Sequence, residues 1–154
     1  DYSVLKDNGI RVIRRPIEGY WPDFSTPVGN LIWHFARTHP PCSIESTEGI
    51  VETTCTPHPS LTAMFLPQGQ RDEPHPSFKL LPIAIRKRLH KRYLDTAIAA
   101  ATNGAHIHLW THIHNFCNQS QWPGVEYGLR EIAAARDAHG VEVRTMDEIP
   151  QLSS

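Results

Sequence analysis

The stretch "HLWTHIHNF" (residues 108–116) holds three histidines, two large aromatics and an amide in nine positions. With His106 just upstream it reads His-x-His-x-x-x-His-x-His, more imidazole than a core strand needs. Three readings fit such a pattern: a metal cage, a catalytic strand end, or a polar surface. The flanking sequence narrows them. Upstream, Ile85, Leu89, Tyr93 and Ala97 are spaced by four, with Leu94 and Ile98 beside them, which predicts a helix from about Pro82 to Asn103. "HIHLW" (His106 to Trp110) alternates as a strand after that helix. Downstream, "WPGVEYGLREIAAARDAHG" has Pro123 near a helix start, apolar contacts at Val125, Leu129, Ile132 and Ala133, a Glu126/Arg130 pair at i,i+4, and Gly140 as the stop. "VEVRT" (Val141 to Thr145) alternates as a further strand, and Thr145 with Glu148 has capping-box spacing.

Nearer the N-terminus, "IRVIR" (Ile10 to Arg14) reads as a strand. "DYSVLKDNG" before it reads as the last turns of a helix with no capping residue to open it, so the chain is expected to enter in mid-helix. Strands alternating with helices imply βα units and a parallel sheet, whose ligands bind beyond the carboxyl ends of the strands. The site is therefore expected just after Arg14, Trp110 and Thr145. Residues 22–81 carry most of the 13 prolines and little periodicity, and are expected to form a long irregular insertion within one domain spanning residues 1–154.

Composition excludes several classes. A formal net charge of −1 supplies no global field toward nucleic acid or anionic membranes, so neither is an expected partner. No run approaches the roughly 18 apolar residues that suggest a membrane span. The three cysteines, Cys42, Cys55 and Cys117, lack CxxC spacing, which argues against a disulfide framework and a zinc ribbon, and leaves a Cys42–Cys55 pair open. The basic run "RKRLHKR" (Arg86 to Arg92) spreads over a broad helix face; a solvated face is the default reading and phosphate contact the rival.

"HLWTHIHNF", followed by a helix and "AAARDAHGVEVRTMDEI", resembles the end of a polysaccharide deacetylase (NodB-homology) domain of carbohydrate esterase family four. In that family the last motif is a strand ending in Leu-x-His, and a final helix and strand close an incomplete (β/α) barrel. Aligning the motif places its histidine on His112, with Trp110 where the family usually has Leu; some members carry "HLWxHPxN". "GIRVIRRPIEGYW" resembles the preceding motif and puts the tryptophan that walls the acetyl pocket on Trp21. The resemblance covers both ends of the chain well and the middle poorly. It implies an α/β fold that is the C-terminal part of such a barrel, and a hydrolase acting on the C–N amide bond of N-acetylated sugars. The family's metal-binding aspartate, base aspartate and His-x-x-x-His pair lie upstream of the point where this chain begins. The resemblance thus implies a divalent metal, zinc first, in the complete domain, none held by this chain alone, and a missing N-terminal half as partner.

The chemistry gives each residue a reason. Amide hydrolysis needs an activated water, charge stabilisation at the carbonyl oxygen and an acid for the departing amine. Imidazole suits the last role because it is charged before and neutral after the transfer, and the resemblance assigns it to His112. His114 and Asn115, in the loop after the strand, and Trp110 are placed to touch substrate. Three alternatives stand beside this reading. His112 is a polar strand-end residue bonded to a backbone carbonyl; His106 and His108, on one face of the strand, are two ligands of a metal site; Trp21 is plain core. At the level of the whole chain, the rival to a hydrolase fragment is a non-catalytic carbohydrate-binding or relic domain.

Overall fold

The computed structural model describes residues 1–20, 26–70 and 81–152. Its central element is a strand, β3 (Ile50–Cys55, IVETTC), with four β-branched residues and burial at every position but Thr54. A strand so enclosed needs a partner on each edge. On one it runs parallel to β1 (Val12–Pro16), in register from Val12 opposite Val51 to Pro16 opposite Cys55; on the other it pairs antiparallel with β2 (Ile44–Thr47). The sheet order is β1-β3-β2. Between β2 and β3 the two turn residues Glu48 and Gly49 both take positive φ, 53° and 81°, the conformation a two-residue hairpin demands. Lys6 clamps this turn through a 2.8 Å bond from Nζ to the Glu48 carbonyl.

Two expectations are corrected here. Residues 22–81 are not an irregular insertion: helix α2 (Pro27–Ala36), β2 and the central strand β3 all fall inside that range. Prolines at 40, 41, 57 and 59 flank these elements instead of interrupting them, which is why composition alone hid them. At the N-terminus, helix α1 (Tyr2–Asp7) has its cap: the Asp1 carboxylate accepts from Ser3 N at 3.0 Å.

The two long helices form as the periodicity predicts. Helix α3 (Ile83–Thr102) buries Leu89, His90, Tyr93, Leu94 and Ala97. Helix α4 (Trp122–His139) ends at Gly140 in the left-handed conformation and carries the Glu126–Arg130 pair at 2.6 Å. The helices approach closely through two glycines. A Cβ on Gly124 would lie 2.5 Å from His90 Nδ1, and one on Gly128 would lie 3.0 Å from Leu94 Cδ1. A compact apolar cluster of Ala63, Phe65, Leu66 and Leu89, with Leu31, Met64 and Leu81 against it, ties the loop after β3 to α2 and α3.

The segments 106–110 and 141–145 are neither helix nor strand and join no sheet. The reason differs for each. Along 106–110 the carbonyls of His106 and Trp110 accept from backbone N–H groups of Cys42, Ser60 and Leu61, but the N–H groups find side chains where a ladder needs carbonyls: His108 N donates to Cys42 Sγ at 3.3 Å and Trp110 N to Ser60 Oγ at 3.2 Å. In 141–145, Arg144 and Glu142 pair with each other at 2.6 Å, and all residues but Val141 are exposed. A groove of about 720 Å³ separates the two segments, floored by apolar residues such as Ala97, Leu129 and Ile132. The capping interaction expected of Thr145 and Glu148 does form, with Glu148 Oε2 accepting from Thr145 N at 2.6 Å and from its hydroxyl at 2.9 Å.

The whole is a mixed α/β fold with a small three-stranded sheet and four α-helices among the described residues. Cys42, Cys55 and Cys117 are free thiols, so the Cys42–Cys55 bridge is not made. No helix is long and apolar enough to cross a membrane among the described residues. Because β1 and β3 are parallel, their carboxyl ends lie side by side, and Ile17 N reaches the Cys55 carbonyl at 2.9 Å.

Candidate functional site

From that edge the chain turns outward twice, after β3 through Thr56 to His58 and after β1 to Tyr20. Trp110 is fixed against the first of these turns. Its indole Nε1 donates to the Thr56 carbonyl at 2.9 Å, and its own carbonyl accepts from Ser60 N and Leu61 N at 3.0 and 3.1 Å. Arg14, midway along β1, lays its guanidinium carbon 5.2 Å from the Trp110 ring centre. His112 then meets the Trp110 ring edge-on, with centroids 5.1 Å apart and planes at 88°. His114 stacks on His112 at 4.9 Å and 12°. Both imidazoles are exposed, at the start of a short 3-10 turn (Ile113–Cys117).

Asn115 is different in kind. It is buried to 3% exposure, and its Nδ2 reaches the hydroxyls of Thr62 and Thr111, each at 3.3 Å, which bond each other at 2.8 Å. Its backbone N donates to the His112 carbonyl at 3.0 Å, so it shapes the turn that presents the two histidines. The expectation that Asn115 lies where substrate touches it is corrected: its amide is spent on two threonines. His114 backs onto Gly69, where a Cβ would sit 3.3 Å from its Cδ2. Thus Trp110, His112 and His114 come together in one array, Asn115 sits beneath it, and Trp21 lies outside the described residues.

The other two histidines of the motif separate. His106 is exposed, whereas His108 is half-buried, with Nδ1 buried and unbonded, and burial first and Arg14 second push its pKa down. No three His, Cys, Asp or Glu side chains converge to hold a metal among the described residues, so the donor set present does not fit one. The large groove is lined by none of Trp110, His112, His114 or Asn115.

Residues that the sequence reading passed over build the ground beside the array. Gln121, fully buried, accepts from Ala63 N through Oε1 and donates through Nε2 to the carbonyls of Ala63 and Pro67, each bond 2.9 Å long. Next to Thr56, a polar cluster is packed inside: Arg37, His58, Tyr20 and Tyr93. Arg37 Nη1 lies 2.7 Å from His58 Nε2, and the two tyrosine hydroxyls are 3.0 Å apart. Burial lowers the pKa of His58 to about 3 and those of His39 and His90 to about 4, and it raises those of Tyr20 and Tyr93. The one signal in the sequence was an arginine in "WHFARTHP" with no carboxylate at helical spacing upstream. Comparison with protein-family models, with curated proteins and with solved structures finds no match to this chain.

Proposed function

We propose that the chain is the C-terminal half of a polysaccharide deacetylase-like domain that hydrolyses the C–N amide bond of N-acetylated sugars, with His112 as the acid. The observation that carries the reading is the array at the strand end. An exposed imidazole is braced by Trp110 on one side and His114 on the other, and lies beyond a segment anchored at the edge where β1 and β3 end. In the reaction, water adds to the acetyl carbon, the C–N bond breaks, and the departing nitrogen takes the proton that His112 releases. Trp110 offers a flat apolar wall for the acetyl methyl or sugar face, and Arg14 holds that wall from behind. The resemblance gives Trp21 the role of a wall of the acetyl pocket. In the complete domain a divalent metal, zinc first, and a base would be held by the N-terminal half and would supply the activation of water, with no ligand drawn from the described residues.

A second reading is a carbohydrate-binding module without catalysis, favoured by the stacked pair of Phe116 and half-exposed Trp122, centroids 5.0 Å apart, beside the histidine turn. Titration with diacetylchitobiose, followed by NMR at the Trp110 indole and the His112 and His114 rings, addresses both readings. Shifts confined to these groups are expected of the first reading; silence at all three sinks it, and silence at the Trp122 indole as well sinks the second. In the complete domain, His112→Ala should lower kcat about 10²–10⁴-fold, the usual contribution of a positioned acid. Loss of activity in His114→Ala with His112→Ala unaffected would move the acid by two residues, and binding without any acetate release in the complete domain would favour the module.

A further inference from the structure

Residues 141–145, VEVRT, have the alternation of a strand and no sheet to join. Two concavities open against them. Val141 to Arg144 line the groove of about 720 Å³ and also a second hollow of about 380 Å³, shared with Arg136 and Glu148. Contacts within the segment give it the habit of a strand. Glu142 and Arg144, two positions apart, bond each other at 2.6 and 2.9 Å, which puts both side chains on one face and leaves Val141 and Val143 to the other. In a strand, successive residues also turn their backbone groups to opposite edges. Thr145, whose N–H and carbonyl are taken up by Glu148, shares an edge with Val141 and Val143. The other edge belongs to Glu142 and Arg144, and among the described residues their backbone N–H and C=O groups have no partner.

We infer that this edge joins two copies of the chain, paired antiparallel through residues 141–145 about a twofold axis at Val143. An unpaired edge is a template for another strand, and the charges select which strand. Centred on Val143, an antiparallel second copy sets Glu142 opposite its Arg144 and Arg144 opposite its Glu142, so both ion pairs form on one face. Val141 and Val143 of both copies then share the other face, where Val143 is 60% exposed in the single chain. The segment is thus complementary to itself in one direction only, since parallel pairing in register would set glutamate beside glutamate and arginine beside arginine. An apolar small molecule in the groove would leave the amides of this edge without partners, whereas a strand supplies them. Because the contact is isologous, it closes at a dimer. Neither His112 nor amide hydrolysis enters the interface, so failure of the deacetylase reading leaves it standing.

Sedimentation equilibrium of the whole chain over a wide concentration range tests it, and a reversible monomer–dimer equilibrium is expected. Glu142→Arg gives each edge two positive charges and Arg144→Glu two negative ones. Either change alone should weaken the dimer at least about tenfold, because like charges then meet across the pair. The two variants mixed in equal amounts should form a heterodimer about as tight as the parent dimer. Both side chains point to solvent, at 68% and 31% exposure, so the fold should survive, as far-ultraviolet melting curves would verify. The double variant Glu142→Arg, Arg144→Glu keeps the pair within each chain and should dimerise as the parent does, which carries the test if a single variant does not fold. A parent that stays monomeric throughout, or that assembles beyond a dimer, would overturn the proposal. So would single variants that dimerise like the parent, or a mixture that associates no better than its components.

Discussion

Histidines occupy two opposite settings in this protein. His39, His58 and His90 are packed among aromatic rings and held neutral by burial; His112 and His114 stand stacked on an exposed turn. The same residue type thus serves as a structural wedge inside and as a reactive group outside. The difference teaches that a count of imidazoles says little until each is assigned a solvent environment.

The largest expected effect comes from acid. Between pH 6.5 and about 4 the unfolded chain binds protons on His39 and His90 that the folded chain refuses, and for His58 the window extends to about 3. The unfolded state gains protons as pH falls, so stability is full above 6.5 and is lost through that window, on the order of 2–3 kcal/mol for each imidazole. Together these approach the whole stability of an ordinary domain, about 5–15 kcal/mol. Urea unfolding from pH 7.5 to 4 should therefore show a steep loss, reduced in His90→Leu. A profile flat to pH 5 would erase the contrast between the two sets.

Next in size is Gln121→Ala, which strands the buried N–H of Ala63 and takes one of two donors from the carbonyls of Ala63 and Pro67. A loss of about 3 kcal/mol is expected, read from denaturant midpoints at neutral pH. Gly124→Ala should follow at about 1–3 kcal/mol, since its Cβ would overlap the His90 ring. The clash is specific, so His90→Ala in the same chain should recover part of the loss, and a double-mutant cycle with no coupling would refute the contact. The smallest effects belong to the exposed set: His112→Ala and His114→Ala should move Tm by less than about 2 °C. A larger drop would make them structural and weaken their candidacy as reactive groups.

Local features were legible in the sequence, and long-range ones were not. Helix α4 was readable to its Gly140 stop because its signals lie within one or two turns of each other. Trp110, His112 and His114 were readable as neighbours because five residues hold them all. The central strand was not, because what makes IVETTC a strand is β1 and β2 on its edges, and one of these lies more than thirty residues away in a stretch dominated by proline. The segment 106–110 was misread as a ladder strand for the opposite reason: its alternation is real, but Cys42 and Ser60 side chains answer its N–H groups. The environment of Arg37 joins residues from 20 to 93, and no spacing rule connects them.

The clamp made by Gln121 has a kinetic consequence. Residues 61–67 and 111–121 lack long helix or strand, a condition that usually means fast exchange of backbone hydrogens with solvent. Ala63 N–H, however, is closed off by a side chain that arrives from the start of α4. Its deuterium uptake should be as slow as that of amides in the middle of α3, and it can be released only when the start of α4 lifts. The amide of Ala63 is thus a clock for the opening of the floor beneath the histidine turn, running without any label placed in the turn itself.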